Sequence, residues 1–374
     1  MINIGILAVA RQRNGGTLLY TLSMIEALNQ LPPNSHRLVV FTSPDNDEYD
    51  SLGLPIVRVR APLTVFMQSL LGSNPFAGID VILAPVQSAT LLVCGRPFVF
   101  TLHDMQERYY PQYFSLTVRI WRRLINWTLT TRAQRVICES TFVQKDIVRF
   151  IGIQADKVSV IPAPPMTTLR DDVGDEASLT ALRQKFDLPK SYVFYPAQFW
   201  PHKNHLRLVE AFRLVLREHP DCALVLTGKK RDEFQRVFDR VRELGMLGNV
   251  RHIGYVERSE LAALYRCATA AVIPTLFESI SIPVYEAFSV GTPVCASNVV
   301  ALPEQIGDAG LMFDPNSTTD IAEKICALLA DPALRSRLVA RGQQRIASIT
   351  HAQYAQRLAS IVADVLGSDL APIG

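Results

Sequence analysis

The sequence predicts an α/β protein made of two Rossmann-like domains that face each other across a cleft. The chain has 374 residues, more than the roughly 250 to 300 at which single hydrophobic cores stop growing. Short apolar runs alternate with helical patterns, which is typical of parallel sheets with crossover helices. The same order of strand, loop, helix and strand begins near residue 2 and again near residue 191. We therefore expect two domains of one architecture.

The first domain is predicted over residues 1–165. It opens with the strand INIGILAVA, the loop RQRNGG and a helix on which Leu18, Leu22 and Ile25 share one face. Further strand patterns follow at RLVVFTS, PIVRVR, DVILAP, FVFTLHD, RVICES and KVSVIP. The polar, acidic passage at 166–188 is the predicted linker.

The second domain is predicted over residues 189–374. The strand SYVFYPAQ, the loop FWPHKN, a helix with Leu208, Phe212 and Val215 on one face, and the strand CALVLTG repeat the opening of the first domain. The strand TAAVIP follows later. We expect the last helix of the chain to pack back on the N-terminal domain.

Composition and charge exclude several classes of protein. The net charge is +3 and no block of like charges occurs, so a nucleic-acid partner is not expected. The six cysteines are widely spaced and never form C-x-x-C, which is typical of reduced core residues in a cytoplasmic protein. The N-terminus lacks a secretory pattern, and no window approaches the ~18 apolar residues that span a bilayer. Any membrane contact should be peripheral, at the inner face.

Ligands of open α/β sheets bind beyond the carboxyl ends of the strands. The stretch PTLFESISIPVYEAFSVGTPVCAS, residues 274–297, follows such a strand and sets Glu278 and Glu286 among apolar and small residues. We predict a helix beginning near Pro283, whose first amides and dipole would hold a phosphate at Ser281, Ile282 and Pro283.

Two carboxylates beside a phosphate need hydroxyl partners, because ionised carboxylates only accept hydrogen bonds. Glu286, expected in the first helical turn, would bind one diol, and Glu278 would reach hydroxyls on the other side of the phosphate. This arrangement describes a nucleotide sugar. The alternative is that both glutamates simply lie in solvent, as most isolated glutamates do.

Other residues after predicted strands could contact the same ligand. Lys203 could neutralise a diphosphate, or be an ordinary surface lysine. Gly15 and Gly16, in the sequence Asn14-Gly15-Gly16, allow close backbone approach to an anion, or form a plain turn. His103 could hydrogen-bond a sugar hydroxyl or a leaving phosphate, or be a structural cap, with Asp104 orienting it or capping the next helix.

No motif in the sequence requires a metal ion or a bound cofactor. G-x-G-x-x-G, the Walker A sequence and His/Cys clusters with zinc spacing are all missing from the sequence. The acidic run DDVGD lies in the interdomain passage and not after a strand. We therefore expect no cofactor and no metal site.

The run FESISIPVYEAFSVGTPVCASNVVALPEQIGDAGLMFDP closely resembles the E-x7-E region of the retaining group 1 (family four) glycosyltransferases. YPAQFWPHKNH, TLHD and VICEST resemble further segments of that family. The resemblance implies a GT-B architecture, with nucleotide bound by the second domain, acceptor by the first, and metal-free transfer with retention. It also implies that Glu286 holds the ribose and Glu278 the donor sugar, that Lys203 binds the diphosphate, and that His103 lies beside the transferred sugar.

Two positions depart from the family pattern. Gln198 stands where an arginine is usual, which would leave Lys203 with less help in binding diphosphate. Ser279, Ile280 and Ser281 replace the common Gly-Phe-Gly between the glutamates. Both variants resemble mannosyltransferase-like members, so the expected donor is GDP-mannose.

The segment at 113–136 combines five arginines with two tryptophans, and a basic helix with tryptophans suits an anionic membrane surface. The alternative is a helix with its apolar side in the core and its arginines in solvent. These residues are Arg119, Arg122, Arg123, Arg132, Arg135, Trp121 and Trp127.

The sequence thus predicts a retaining glycosyltransferase that moves a hexose to a glycan acceptor, plausibly lipid-linked, in cell-surface polysaccharide or lipopolysaccharide synthesis. His103, Glu278 and Lys203 are its predicted catalytic residues. Two alternatives stay open, a sugar-nucleotide epimerase of the same architecture and an inactive donor-binding subunit.

Overall fold

The computed structural model describes residues 1–11, 15–32, 34–164 and 169–367. The chain divides into two compact units, the first comprising residues 1–166 with 349–374 and the second residues 167–348. Most of the predicted linker therefore belongs to the second unit. The last helix, which we expected to return to the first domain, belongs to the first unit.

All strands in the described parts of the two units lie in parallel sheets. They are β1 (Ile2–Leu7), β2 (His36–Thr42), β3 (Ile56–Arg58), β4 (Val81–Ala84), β5 (Phe98–Thr101), β6 (Arg135–Cys138), β7 (Val158–Val160), β8 (Tyr192–Pro196), β9 (Ala223–Thr227), β10 (Val250–His252), β11 (Ala270–Ile273), β12 (Val294–Ser297) and β13 (Gly310–Phe313). Every strand predicted from the sequence is present, whereas β10, β12 and β13 were not predicted.

The α-helices connect and cover these strands. They are α1 (Gly16–Asn29), α2 (Pro62–Leu70), α3 (Gln106–Tyr109), α4 (Leu116–Arg132), α5 (Thr141–Ile151), α6 (Glu176–Lys185), α7 (His205–Glu218), α8 (Phe234–Glu243), α9 (Arg258–Cys267), α10 (Ile282–Val290), α11 (Leu302–Ile306), α12 (Thr318–Ala330), α13 (Pro332–Ala347) and α14 (His351–Leu366).

The first sheet has the strand order β3-β2-β1-β4-β5-β6-β7. Its strands are nearly continuous apolar runs because helices cover both faces. The cluster on one face includes Ile4 and Ile6 of β1 together with Tyr354 and Leu358 of α14. Strand order reverses between β1 and β4, and the crevice at such a reversal is where open α/β sheets bind ligands.

The second sheet has the order β10-β9-β8-β11-β12-β13, with its reversal between β8 and β11. One face packs on α7, whose Leu208, Phe212 and Val215 are fully buried as their spacing predicted. On the other face, Tyr265 of α9 contacts Phe194 of β8 edge to face, with ring centroids 5.0 Å apart. The loops that follow β8 and β11 therefore meet at the reversal.

Candidate functional site

Lys203 and Glu278, which are 75 residues apart in sequence, form an ion pair at the reversal of the second sheet. Lys203 ends the 3-10 turn Pro201–Lys203 after β8, and Glu278 lies in the loop after β11. The Lys203 Nζ donates to both carboxylate oxygens of Glu278, each at 2.8 Å. The two side chains are only 18% and 13% exposed, so water screens the pair weakly.

Hydrogen bonds other than this ion pair hold the two loops together. The Asn204 side-chain amide donates to Pro274 O and to Pro315 O, both at 2.9 Å. Asn204 adopts the left-handed region at φ 60°, a conformation that asparagine tolerates better than most residues. The carbonyl of His202 accepts from the amide of Leu276 at 2.8 Å. Lys203 and Glu278 are therefore presented on a framework that the chain itself fixes.

Glu286 lies deeper in its helix than predicted. Helix α10 begins at Ile282 and has Ser281 as its N-cap, so Glu286 is the fifth helical residue and is outside the first turn. Its carboxylate accepts a hydrogen bond from the Tyr265 hydroxyl at 2.9 Å. Burial raises the pKa of Glu286 to about 7, although the Tyr265 hydrogen bond and the charge of Arg258 oppose the rise.

The Tyr265 hydroxyl has one proton and two acceptors nearby. Pro283 O lies 3.2 Å away and Glu286 Oε2 lies 2.9 Å away. When Tyr265 donates to Pro283 O, a protonated Glu286 can donate to the phenol oxygen. When Glu286 is ionised, Tyr265 can donate to the carboxylate. The site thus accommodates both protonation states of Glu286, which exchange near neutral pH.

The predicted phosphate position at the start of α10 offers fewer amides than expected. The Ser281 N–H donates to Gln305 Oε1 at 2.8 Å, and Gln305 Nε2 donates to Ser281 O at 2.7 Å. Pro283 has no N–H, so Ile282 carries the remaining amide at this end. The Ser281 hydroxyl is fully buried, and within the described residues its oxygen has no hydrogen-bond partner.

Gln198 contacts a basic residue that the sequence reasoning missed. The Arg231 Nε donates to Gln198 Oε1 at 2.9 Å, and the guanidinium carbon lies 5.0 Å from the centre of the Trp200 ring. Arg231 follows β9, the strand beside β8. The close approach of these loops requires glycine at 228, because a Cβ there would lie 2.6 Å from Ala197 O.

In the first unit, His103 is hydrogen-bonded through both ring nitrogens. Nδ1 lies 2.9 Å from Glu139 Oε2, and Nε2 lies 2.8 Å from Pro85 O. Both partners are acceptors, so the doubly protonated ring satisfies both contacts. Burial is the largest single influence and lowers the pKa of His103, but Glu139, the Pro85 carbonyl and Asp104 together outweigh it, so the net pKa is raised. In its doubly protonated form, His103 donates to both acceptors and has no lone pair available to accept a proton.

Glu139, and not Asp104, orients His103. Asp104 Oδ1 accepts from the Gln106 amide at 3.0 Å, at the start of α3, and from Arg122 Nη2 at 2.7 Å. Asp104 thus binds the first amide of α3, although Met105 is the N-cap residue of that helix, and its predicted contact with His103 is replaced by Glu139 after β6. The Tyr20 ring packs edge-on against His103 with centroids 4.6 Å apart.

Gly15 and Gly16 lie where the sequence suggested, at the start of α1 after β1. Gly15 is the N-cap of α1 with φ +55° and ψ −110°, a conformation that glycine adopts without strain. Its carbonyl accepts from the amide of Leu18 at 3.1 Å. Asn14, the third residue of this predicted anion loop, lies outside the described residues.

Two family descriptions together match most of the sequence. Residues 14–164 match Glycosyltransferase Family 4, and residues 180–345 match Glycosyl transferases group 1. The chain belongs to the group 1 glycosyltransferases. Among curated relatives, it is 30% identical to the O-antigen chain mannosyltransferase B of Escherichia coli over 65% of this chain and 64% of that protein. It is 26% identical to the serotype-specific mannosyltransferase WbdA of Escherichia coli, over 60% of this chain but only 28% of the relative.

Solved structures show the same fold at low sequence identity. Anabaena HepE, determined with UDP and glucose, gives a TM-score of 0.79 at 18% identity and covers 97% of this chain and 100% of its own. The sucrose-phosphate synthase of Thermosynechococcus elongatus gives 0.78 at 21% identity and covers 98% and 100%. These neighbours and the two parallel-sheet units establish the GT-B fold class for this glycosyltransferase.

The basic segment of this glycosyltransferase has more exposed apolar surface than a core-packed helix would. Helix α4 ends at Arg132, so Arg135 lies on β6 and not on the predicted helix. Arg122 binds Glu107 and Asp104 and is structural. On the outer side of α4 the large apolar residues are 48% to 65% exposed, namely Leu116, Ile120, Trp121, Leu124 and Trp127.

A second helix of the first unit exposes apolar residues nearby. Both α2 and α4 contact the 3-10 helix Ala89–Leu92. On and just after α2, five apolar side chains are 46% to 77% exposed, namely Leu63, Phe66, Met67, Leu70 and Leu71. Within the described residues, no helix combines the length and hydropathy needed to span a membrane.

Among the described residues, one group of three potential metal ligands lies within 4.8 Å, formed by Glu218, His219 and Cys326. Glu218 and His219 lie at the end of α7, at the edge of the sheet where strands begin. This group is therefore at the opposite edge from Lys203 and Glu278. It does not belong to the candidate site.

Proposed function

We propose that this glycosyltransferase moves mannose from GDP-mannose to a glycan acceptor, with retention of configuration, in the synthesis of a cell-surface polysaccharide. The observation that carries the proposal is the weakly screened Lys203–Glu278 pair at the reversal of the second sheet, with Glu286 on the helix that follows. A nucleotide sugar has a diphosphate, a sugar and a ribose. Lys203 is a suitable partner for the first, Glu278 for the second and Glu286 for the third. The mannosyltransferase names of the two relatives support the choice of sugar.

Each part of the donor has a residue suited to it. The ionised Glu286 carboxylate can accept two hydrogen bonds from a ribose diol. Lys203 supplies a point charge for the diphosphate. Glu278, held by Lys203 in the resting site, can accept hydrogen bonds from sugar hydroxyls once the diphosphate competes for the lysine. Donor binding would thus exchange one salt bridge for two ligand contacts.

The proposed chemistry is same-face transfer. The bond from the anomeric carbon to the diphosphate oxygen breaks while the acceptor oxygen bonds to the same face of that carbon. The departing diphosphate takes the proton of the acceptor hydroxyl. Lys203 and the Ile282 amide would stabilise the charge that develops on the leaving group. A double displacement would need a carboxylate on the opposite face of the sugar, whereas the proposal places Glu278 on the side of the sugar hydroxyls.

His103 would act through its charge. Both of its ring nitrogens face acceptors, so it cannot serve as the general base for the incoming hydroxyl in this arrangement. A protonated ring fixed at the carboxyl end of β5 can contribute positive potential at that edge. This assigns proton removal to the departing diphosphate and not to a side chain of the first unit.

The donor can be tested by thermal-shift measurements with GDP-, UDP-, dTDP- and ADP-sugars. A ligand at about 100 times its dissociation constant stabilises the folded state by about 2.7 kcal/mol. GDP-mannose should raise Tm most, and the Glu286→Ala variant should lose that rise. No stabilisation by any sugar nucleotide would contradict the proposal, and stabilisation by another one would correct the donor.

Product analysis separates transfer from the alternatives. The protein is incubated with GDP-mannose alone and with GDP-mannose plus an oligomannose acceptor. Transfer requires the acceptor, epimerisation does not, and a binding subunit leaves the donor unchanged in both. Acceptor-dependent product with the donor's anomeric configuration is the expected result.

We also propose that the first unit binds an anionic membrane surface, where a lipid-linked acceptor would be presented. The supporting surface is formed by the exposed apolar sides of α2 and α4, together with Arg119, Arg123 and Arg132. Residues 116–132 contain four arginines and no acidic residue, which suits anionic headgroups. Exposed tryptophans on a basic helix suit the bilayer interface.

The membrane proposal is tested by sedimentation with vesicles. Vesicles that contain phosphatidylglycerol should bind the protein and pure phosphatidylcholine vesicles should not. Trp121→Ser with Trp127→Ser, or Leu63→Ser with Phe66→Ser, should weaken binding. The control is Tyr255→Ser, because Tyr255 is 68% exposed but lies in the second unit. Equal binding by all variants would contradict this surface.

A further inference from the structure

Three consecutive basic residues, Lys229, Lys230 and Arg231, follow β9 at the same sheet edge as Lys203 and Glu278. In the part of the chain that the structure describes, none of the three forms an ion pair with a carboxylate. The Lys229 Nζ lies over the Tyr255 ring at 5.7 Å, and the Lys230 Nζ lies over Phe234 at 4.6 Å. Only Arg231 directs its side chain to the loop that follows β8.

The contacts of Arg231 fix its guanidinium and leave part of it for a ligand. Gln198 accepts from Nε at 2.9 Å, and the guanidinium carbon lies over the Trp200 ring, 5.0 Å from its centre. The two terminal nitrogens carry the remaining donors, and a guanidinium presents such donors as a fork that matches phosphate oxygens. Gln198 and Trp200 belong to the loop that also carries Lys203.

Lys203 is poorly suited to bind a diphosphate alone. Its ammonium already donates to both oxygens of Glu278, which offsets its charge. A diphosphate carries more than one negative charge, so a second cation at this edge would be needed. Arg231 is a cation on the adjacent strand end that forms no ion pair with a carboxylate of the described residues.

We propose that Arg231 is the second cation of the diphosphate subsite, with Gln198 as the residue that positions it. The guanidinium is thus supplied from the end of β9, while position 198 at the end of β8 supplies an amide acceptor. This assignment rests on the proposed function, because it takes the ligand to be a nucleoside diphosphate sugar.

The backbone of the two loops supports a fixed geometry for this subsite. The amide of Glu233 donates to Phe199 O at 3.1 Å, and the amide of Phe199 donates to Lys229 O at 3.4 Å. Gly228, at φ +113°, is the residue through which the loops approach. Arg231 is therefore held against the β8 loop by main-chain contacts as well as by its own side chain.

Binding is measured by calorimetry with GDP and with guanosine, and in parallel with UDP and uridine. Arg231→Ala should weaken diphosphate binding about 10- to 100-fold, the effect of losing a charged hydrogen bond, and leave nucleoside binding unchanged. Arg231→Lys should give an intermediate loss, since it keeps the charge without the fork. Lys230→Ala removes the same charge one residue away and should change affinity by less than about threefold.

An exchange of the two side chains gives the sharpest version of the test. Arg231→Gln should lose diphosphate affinity, and adding Gln198→Arg should restore it to within about threefold of wild type, because the amide–guanidinium pair is then reversed. A merely structural Arg231 would change nucleoside and diphosphate affinities, and Tm, together.

The outcomes separate this assignment from the proposed function. If wild type binds a nucleoside diphosphate and Arg231→Ala binds it equally, the assignment is wrong and the proposed function stands. If Arg231→Ala weakens nucleoside and diphosphate equally, the residue is structural and the assignment is also wrong. If wild type binds no nucleoside diphosphate, both the assignment of Arg231 and the proposed function are wrong.

Discussion

The His103–Glu139 pair of the first unit and the Lys203–Glu278 pair of the second both lie at the carboxyl ends of parallel strands. In the first unit, His103 contacts Glu139 and Pro85 O, so both of its nitrogens are used by the chain. In the second unit, within the described residues, the Lys203 ammonium donates hydrogen bonds to Glu278 alone. Both pairs therefore lie at the same kind of position in their sheets. Only His103, however, has every nitrogen of its ring hydrogen-bonded by the chain.

The difference indicates how each pair should respond to change. A cation that is bonded on all sides by the protein contributes to the folded state, and removing it leaves a buried carboxylate uncompensated. A lysine bound only to one carboxylate can pass part of its interaction to a phosphate. We therefore expect substitutions at His103 to affect stability first, and substitutions at Lys203 and Glu278 to affect ligand binding and rate first.

The largest effect is expected for Glu278→Gln. Turnover should fall about 100-fold, because hydrogen bonds to the sugar weaken as charge develops in the transition state. The anomeric configuration of the product should be unchanged, as determined by NMR. A covalent sugar adduct on Glu278 detected by mass spectrometry, or an inverted product, would contradict same-face transfer.

His103→Ala should lower the free energy of unfolding by about 3 kcal/mol, because Glu139 is left buried without its cation. Chemical denaturation measures this change. The exposed Arg236–Glu233 pair, at 3.5 Å, is the control, and Arg236→Ala should cost under about 1 kcal/mol. If His103→Ala and Arg236→Ala lowered the free energy of unfolding equally, the His103–Glu139 pair would contribute no more to stability than a surface pair.

The stability contributed by His103 should also depend on pH. The pKa of His103 is raised in the folded state, so its contribution is fully present below the unfolded pKa, about 6.5. That contribution is lost as pH rises through the folded-state pKa. The difference in unfolding free energy between wild type and His103→Ala should therefore shrink at alkaline pH, and a difference that grows there would contradict the ionised pair.

Nucleoside affinity should rise about tenfold between pH 6 and pH 8. The pKa of Glu286 is about 7, and the ionised carboxylate is the form that accepts both hydrogen bonds of a ribose diol. Guanosine is the appropriate ligand because it carries no titrating phosphate. Glu286→Gln should bind more weakly and show a flat profile, whereas the same slope in this variant would assign the titration to another group.

The smallest effect is expected for EDTA, which should leave turnover essentially unchanged. Among the described residues, the ligand group at Glu218, His219 and Cys326 is at the opposite edge of the second sheet. Loss of activity that Mg²⁺ restores, with the nucleotide sugar unchanged, would show that the diphosphate needs a cation besides Lys203 and Arg231.

The sequence predicted the fold well because buried parallel strands are short apolar runs, and the spacing of Leu208, Phe212 and Val215 defined α7. The short strands β10, β12 and β13 have only three or four residues each. Such runs cannot be told from the ends of buried helices by periodicity alone. The equally short β3 and β7 were predicted because the patterns PIVRVR and KVSVIP extend beyond them. The assignment of β10, β12 and β13 depends on neighbouring strands that are far apart in sequence.

The sequence could not predict the contacts of the site that join side chains far apart in the chain. The rule about strand ends found Lys203, Glu278 and His103, but not that Lys203 would bind Glu278. Tyr265 comes from the preceding helix α9 and Gln305 from the later helix α11, where nothing in the local pattern indicates a role. Arg231 lies shortly after the predicted strand CALVLTG, so extending the strand-end rule to the residues that follow this strand would have included it.

The central claim, that the nucleotide is bound at the β8–β11 edge and not through the His103–Glu139 pair of the first unit, is tested most directly by titration calorimetry. The nucleoside diphosphate that stabilises wild type most, expected to be GDP, is titrated into wild type, Lys203→Ala, Glu286→Ala and His103→Gln. Lys203→Ala and Glu286→Ala should weaken binding about 10- to 100-fold, and His103→Gln should bind like wild type. Unchanged affinity in the first two variants, or an equal loss in the third, would contradict the account.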